Sequence, residues 1–174
     1  MRVRIFLFCM LIMCLILSCN KDDEGAELFK ASYIGNELNI HAGLYLHRDS
    51  AGEILSSFFF YRDGVMIDPG AIDQEKIDRS RDAGGWEDAA TFKDNKSRWG
   101  IFEISNDEIK IEQWVVFQND PLKTIVSRGV ILSDTSFTIR EVVNNRTNEV
   151  FEIDWLYELE SFAPKPDSTN TFIQ

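Results

Sequence analysis

The chain has 174 residues, of which 18 are lysine or arginine and 29 are aspartate or glutamate, giving a formal net charge of −11. A surface with this excess of acids repels phosphate backbones and anionic membrane surfaces, which argues against nucleic acid as a partner. The length suffices for one domain with a substantial core.

The first 18 residues have the organisation of a secretory signal. Arg2 and Arg4 precede an unbroken apolar run from Ile5 to Leu17, and Ser18 follows it. A helix of that length covers about 20 Å, whereas the hydrocarbon layer of a membrane is about 30 Å thick, so the run is too short to span. A basic region, a short apolar region and a small residue before the cut site predict that residues 1–18 are removed.

Ile16-Leu17-Ser18-Cys19 resembles the lipobox of bacterial lipoproteins. The resemblance implies that Cys19 receives a diacylglyceryl group and becomes the acylated first residue of the mature chain, and two acyl chains already hold a protein stably on a membrane. Cys9 and Cys14 then leave with the signal, so the mature chain has no thiol for a disulfide, a nucleophile or a metal site. The alternative is an ordinary secretory signal in which Cys19 is incidental.

The residues behind the cysteine, Asn20-Lys21-Asp22-Asp23-Glu24, resemble the export signal of lipoproteins from the phylum Bacteroidota. The resemblance implies that Lys21, Asp22 and Asp23 send the protein to the outer membrane and expose it at the cell surface. The alternative is a solvated charged tether. Residues 19–40 are interpreted as a lipidated tether, and the acyl chains are the only membrane contact that the sequence predicts.

Residues 41–163 are predicted to form a β-domain, and residues 164–174 a C-terminal tail. Aromatic and β-branched segments between turn residues predict strands at 44–46, 54–61, 65–67, 99–104, 109–117, 125–132, 137–143 and 151–159. Asp63-Gly64 and Asn106-Asp107 predict tight turns. Between the third and fourth strands, Ala71–Asp82 is predicted to be a short helix in a long loop, ended by Ala83-Gly84-Gly85.

The last predicted strand has the clearest period of two. Its odd positions from Phe151 to Leu159 are all apolar, and most of its even positions are acidic. Because side chains switch face at every residue of a strand, the pattern predicts that Trp155 lies inside the domain and Asp154 outside it.

The strand order predicts an all-β fold: an antiparallel up-and-down barrel of about eight strands with a short helix and loop inserted. Gly43-Leu44-Tyr45, the hairpin that starts at Trp99 and the strand order are similar to small lipocalin-like barrels in Bacteroidota lipoproteins. The segment Lys165–Asn170 resembles the tail of an uncharacterised lipoprotein group from these bacteria. A β-sandwich is the alternative, since counting strands does not separate the two folds.

The sequence predicts no metal, no cofactor and no enzyme activity. Asp78, Ser80 and Asp82 begin like a calcium loop, but the required glycine and the final acid are replaced by alanines. His41 and His47 lack the spacing of a helical zinc pair. No serine lies in a Gly-x-Ser-x-Gly turn.

Trp155, Tyr157 and Trp86 are the candidate ligand-binding residues. Trp86 stands in a polar loop, and we expect it either to cap the barrel mouth or to face a partner. The expected function is a non-enzymatic module that holds a small apolar or amphipathic ligand in the barrel interior. The alternative is a filled barrel that contacts another envelope protein, and a cavity of several hundred cubic ångströms would favour the ligand.

Overall fold

The computed structural model describes residues 25–41, 43–86, 90–91, 94–116 and 122–173, in which eight strands form a closed antiparallel barrel. The strands are β1 (Gly43–Arg48), β2 (Ile54–Phe60), β3 (Val65–Ile67), β4 (Trp99–Ser105), β5 (Glu108–Val115), β6 (Lys123–Ser133), β7 (Ser136–Asn144) and β8 (Glu149–Ser161). Each strand pairs with the next, and β8 closes onto β1. The predicted lipocalin-like up-and-down barrel is therefore confirmed, and the sandwich is wrong.

The tight turns lie where the sequence predicts them. Asn106 and Asp107 connect β4 to β5 with φ angles of 53° and 63°, a conformation that short polar residues tolerate. Gly64 connects β2 to β3 with a φ of 82°. These turns set the register in which the neighbouring strands pair.

Helix α1 (Gln74–Asp82) lies between β3 and β4. The Asp73 carboxylate caps its first turn by accepting the backbone N–H of Lys76 at 2.7 Å. Gly84, with a φ of 75°, ends the helix and allows the Gly85 N–H to donate to the Ser80 carbonyl at 3.0 Å. The predicted helix and its glycine stop are confirmed, but the helix begins at Gln74 and not at Ala71, because Asp73 caps it.

Aromatic rings fill the middle of the barrel. The ring centroid of Phe60 lies 4.9 Å from that of Phe102 and 5.8 Å from that of Phe137. Phe137 in turn stacks on Tyr157 with 4.8 Å between centroids and 3° between ring planes. The rings belong to an inner cluster that also contains Tyr45 and buried residues of β3 and β5, and the partly buried Ile131 of β6 packs against it.

A second apolar layer covers the outer wall of β1 to β5. Outward residues such as Phe59 and Trp99 are fully buried there beneath α1, Trp86 and the C-terminal segment. Ile77 of α1 and Phe162 of the C-terminal segment are 0% and 1% exposed. A strand with both faces buried favours apolar residues on both faces, which explains the consecutive Phe58, Phe59 and Phe60 of β2.

One end of the barrel, called the closed end, carries the turns β2–β3, β4–β5 and β6–β7. Tyr33, Leu38 and Ile40 are buried there against the inner cluster. The Lys165 ammonium donates to the carbonyls of Ile40 and Phe60 and lies 4.5 Å from the centre of the Tyr61 ring. Burial lowers the pKa of Lys165 to about 8.

The N-terminal segment runs along the outer wall before it reaches the closed end. The carboxylate of Glu112, 1% exposed, accepts the backbone N–H groups of Glu27 and Leu28 at 2.6 to 3.0 Å. It also accepts the Asn145 side-chain amide at 2.9 Å. Part of the segment interpreted as a tether is thus packed on the barrel.

Candidate functional site

The end opposite the closed end, called the mouth, carries polar side chains on the inner face of the strands. Register and alternation place them there, since inward residues of neighbouring strands face one another across the ladder. We call this set the mouth recess; its members are His47, Ser56, Asp68, Gln113, Trp155 and Tyr157.

His47 and Trp155 form a flat stack in the mouth recess. Their ring centroids are 5.3 Å apart and their planes differ by 19°. His47 Nδ1 lies 3.0 Å from the carbonyl oxygen of Leu156. A carbonyl only accepts, so Nδ1 carries a proton and donates this hydrogen bond.

Trp155 is less buried than the sequence predicts. It pairs with the buried Ile139 of β7 and lies on the same face, but 39% of the residue remains exposed. The pairing of β8 with β1 ends at Tyr157, so the backbone at Trp155 pairs with β7 alone and, among the described residues of β1, only His47 stacks on its ring. The prediction that Trp155 points inward and Asp154 outward is therefore confirmed, but the Trp155 ring is less buried than a core position would make it.

Tyr157 forms the floor of the mouth recess. It is 1% exposed, and its hydroxyl donates to Ser56 Oγ at 3.1 Å. Burial raises the pKa of Tyr157 to about 12, and the nearby charge of Asp68 adds to the increase. The phenol therefore stays neutral and keeps its proton at physiological pH.

Asp68 and Gln113 form the polar side of the mouth recess. Burial raises the pKa of Asp68, while the N–H of Gly70 at 2.6 Å, the charge of Arg98 and a hydrogen bond from the Gln113 side chain oppose the increase. A quarter of the Asp68 side chain, 25%, nevertheless remains exposed. A carboxyl group that is densely surrounded and still reached by solvent lies in a concavity.

The recess is suited to binding rather than to nucleophilic chemistry. Ser56 accepts from Tyr157, and His47 donates to the backbone, so neither residue is arranged as a nucleophile with its base. The flat stack offers an apolar surface, and Asp68 with Gln113 offers hydrogen bonds. This combination matches a small amphipathic molecule with a flat apolar part and polar groups at one edge.

Trp86 docks on its own domain, but it does not cap the mouth. The residue is 6% exposed, and its ring centroid lies 5.2 Å from Phe59 and 5.3 Å from Phe162. Both of these rings belong to the outer layer. Trp86 thus helps to bury the outer wall, which removes it from the set of candidate ligand-binding residues.

The remaining sequence-derived residues divide into two groups. Cys19, Lys21, Asp22 and Asp23 lie outside the described residues. His41 and His47 lie towards opposite ends of the barrel, and His41 Nε2 accepts from Arg62 at 2.9 Å. In the part of the chain that the structure describes, no group of three or more histidine, cysteine or acidic residues is placed to hold a metal.

Within the described residues, the grooves of several hundred cubic ångströms lie on the outside of the barrel and not in its ring-filled interior. One groove of about 500 Å³ on the outer wall is lined by charged residues of β4 to β7, among them Glu108, Lys110, Arg128 and Arg140. Arg128 and Glu141 form an ion pair of 2.6 Å there. A long apolar ligand along the barrel axis is therefore incompatible with the packed middle.

Sequence reasoning missed three members of the recess: Ser56, Asp68 and Gln113. Each lies two residues from an inward core residue, namely Phe58, Met66 and Ile111. That these three side chains point into the barrel can be predicted only if the inward face of each strand is known. β2 and β3 carry apolar residues on both faces, so their alternation does not reveal it, whereas the alternation of Ile109 and Ile111 with charged residues in β5 could have placed Gln113 inward.

Comparison of the chain with protein-family models, curated proteins and solved structures gave no match. Within the described residues, no helix has both the length and the apolar character needed to cross a membrane.

Proposed function

We propose that this chain is a lipid-anchored lipoprotein of the bacterial outer membrane, displayed at the cell surface, whose barrel binds a small amphipathic ligand at the mouth. The stack of His47 on Trp155 beside Asp68 and Gln113 supports the binding role. The anchor and the surface location rest on the sequence around Cys19 and on Lys21, Asp22 and Asp23.

The anchor is tested by Cys19→Ser in the full-length protein. We expect the variant to lose the mass of the acyl chains and to be unprocessed or released from membranes, since no other residue is proposed to carry lipid. Triton X-114 partitioning and intact mass measure both effects. Equal partitioning of the processed variant and the wild type would exclude the lipoprotein assignment.

The binding role is tested with N-phenyl-1-naphthylamine, a neutral, flat and amphipathic probe. We expect saturable fluorescence enhancement, and a loss of affinity of at least tenfold in Trp155→Ala because the variant removes half of the stack. Leu132→Ala is the matched control, since Leu132 is 55% exposed at the closed end. Unsaturable binding, or equal affinity in both variants, would rule out the recess as the site.

A second candidate function is an interaction lipoprotein with a filled barrel that contacts another envelope protein. The observation in its favour is the packed middle of the barrel, where the ring centroid of Phe60 lies 4.9 Å from that of Phe102 and 5.8 Å from that of Phe137. Absence of saturable probe binding would favour this function over the ligand-binding one.

A further inference from the structure

The path of the N-terminal segment fixes which end of the barrel the chain leaves. A Cβ atom on Gly64 would meet the Ala31 carbonyl oxygen at 2.2 Å, so Ala31 lies beside the β2–β3 turn at the closed end. Four residues earlier, Glu27 is held by Glu112, which lies three residues before the mouth end of β5. Followed towards residue 25, the chain therefore runs along the wall from the closed end towards the mouth.

The length of chain before this point limits the distance to the proposed anchor. Cys19 precedes Glu27 by eight residues. Fully extended, eight residues span about 26–29 Å. The backbone of Glu27 is held on the barrel wall by Glu112. The wall at Glu112 therefore lies at most about 26–29 Å from an acylated Cys19.

Exposed apolar side chains lie at the mouth. Leu55 is near the start of β2, Val116 follows β5, and Val150 and Phe151 are near the start of β8. These four residues, which we call the mouth rim, are 61%, 62%, 52% and 51% exposed respectively. Phe29, Ile34, Leu132 and Leu156 are exposed elsewhere, so exposure alone does not select the rim.

We propose that the mouth rim rests on the lipid bilayer, so that the mouth recess faces the membrane. The proposal rests on the lipid anchor proposed above, and the exit of the chain towards the mouth selects this end. Apolar side chains at the rim bury their surface in the interfacial region, adding a contact beyond the acyl chains. The excess of acidic over basic residues favours a zwitterionic lipid surface over an anionic one.

The test uses the full-length acylated protein in vesicles of phosphatidylcholine that contain a nitroxide-labelled lipid. Single cysteines replace Val116, Phe151 or, as a control at the closed end, Leu132, whose exposure of 55% is similar. The three cysteine residues of the sequence all lie in positions 1–19, so bimane reacts selectively with the new thiol once Cys19 is acylated. Far-UV circular dichroism checks that each variant folds. Two rim positions are used so that the test still stands if one of the two variants does not fold.

We expect the bilayer nitroxide to quench bimane at Val116→Cys and Phe151→Cys at least twofold more than at Leu132→Cys. Equal quenching, or stronger quenching at the closed end, in protein of acylated mass would overturn the orientation and leave the anchor standing. Intact mass without acyl chains would overturn the anchor, and the orientation with it.

Discussion

Replacing Tyr157 or Trp155 by alanine tests whether the two inward residues of β8 are buried to different extents, as the structure shows, or equally, as alternation alone predicts. Tyr157 is 1% exposed, and its ring stacks on Phe137 at 4.8 Å and on Phe58 at 5.2 Å. Its removal leaves a cavity that the rigid neighbouring rings cannot fill, so we expect a loss of about 3–5 kcal/mol in the free energy of unfolding.

Trp155→Ala should cost less although its ring is larger. The residue is 39% exposed and lies beyond the paired part of β1, so water fills the space left by the ring and the cavity cost is small. We expect a loss of about 1–2 kcal/mol from the transfer of the buried part alone. Tyr157→Phe should lose about 1 kcal/mol with the hydrogen bond to Ser56.

Urea unfolding of the chain without its first 19 residues measures all three variants. Far-UV circular dichroism is the appropriate signal because tryptophan fluorescence changes when Trp155 is replaced. A loss for Trp155→Ala equal to or larger than that for Tyr157→Ala would contradict the structural assignment. Such a result would indicate that the Trp155 ring is fully buried, as the alternation of β8 alone predicts.

Two further predictions concern charged groups buried in the wall and at the closed end. Glu112→Gln should release residues 25–30 and speed tryptic cleavage after Lys30 several-fold, because the Glu112 carboxylate accepts the backbone N–H groups of Glu27 and Leu28. Glu103→Gln, at an exposed position, is the control. Equal cleavage rates in the two variants would show that Glu112 does not hold the N-terminal segment on the barrel. The pKa of Lys165 falls to about 8 on folding from 10.5, so the unfolded chain binds more protons between these values and stability should rise with pH across that window. Relative to Lys165→Met, the gain should reach about 3 kcal/mol, and parallel pH profiles for the two proteins would refute the shift.

The sequence by itself predicted the eight strands of the described residues, both tight turns and the inserted helix. These features depend on local chemistry: β-branched and aromatic runs, residues that tolerate positive φ, and glycines that end a helix. The period of two in β8 also placed Asp154 outside and Tyr157 inside. The anchor and export signals remain predictions from short motifs around Cys19.

Only the tertiary structure decided the exposure of Trp155, the direction of Asp68 and the position of Trp86. Trp155 is exposed because β1 ends before it, and the relative lengths of strands that close a barrel cannot be read from either strand alone. Asp68 and Trp86 depend on which face of apolar strands is inward and on what covers the other face. Those are contacts between residues distant in the chain, for which periodicity carries no signal.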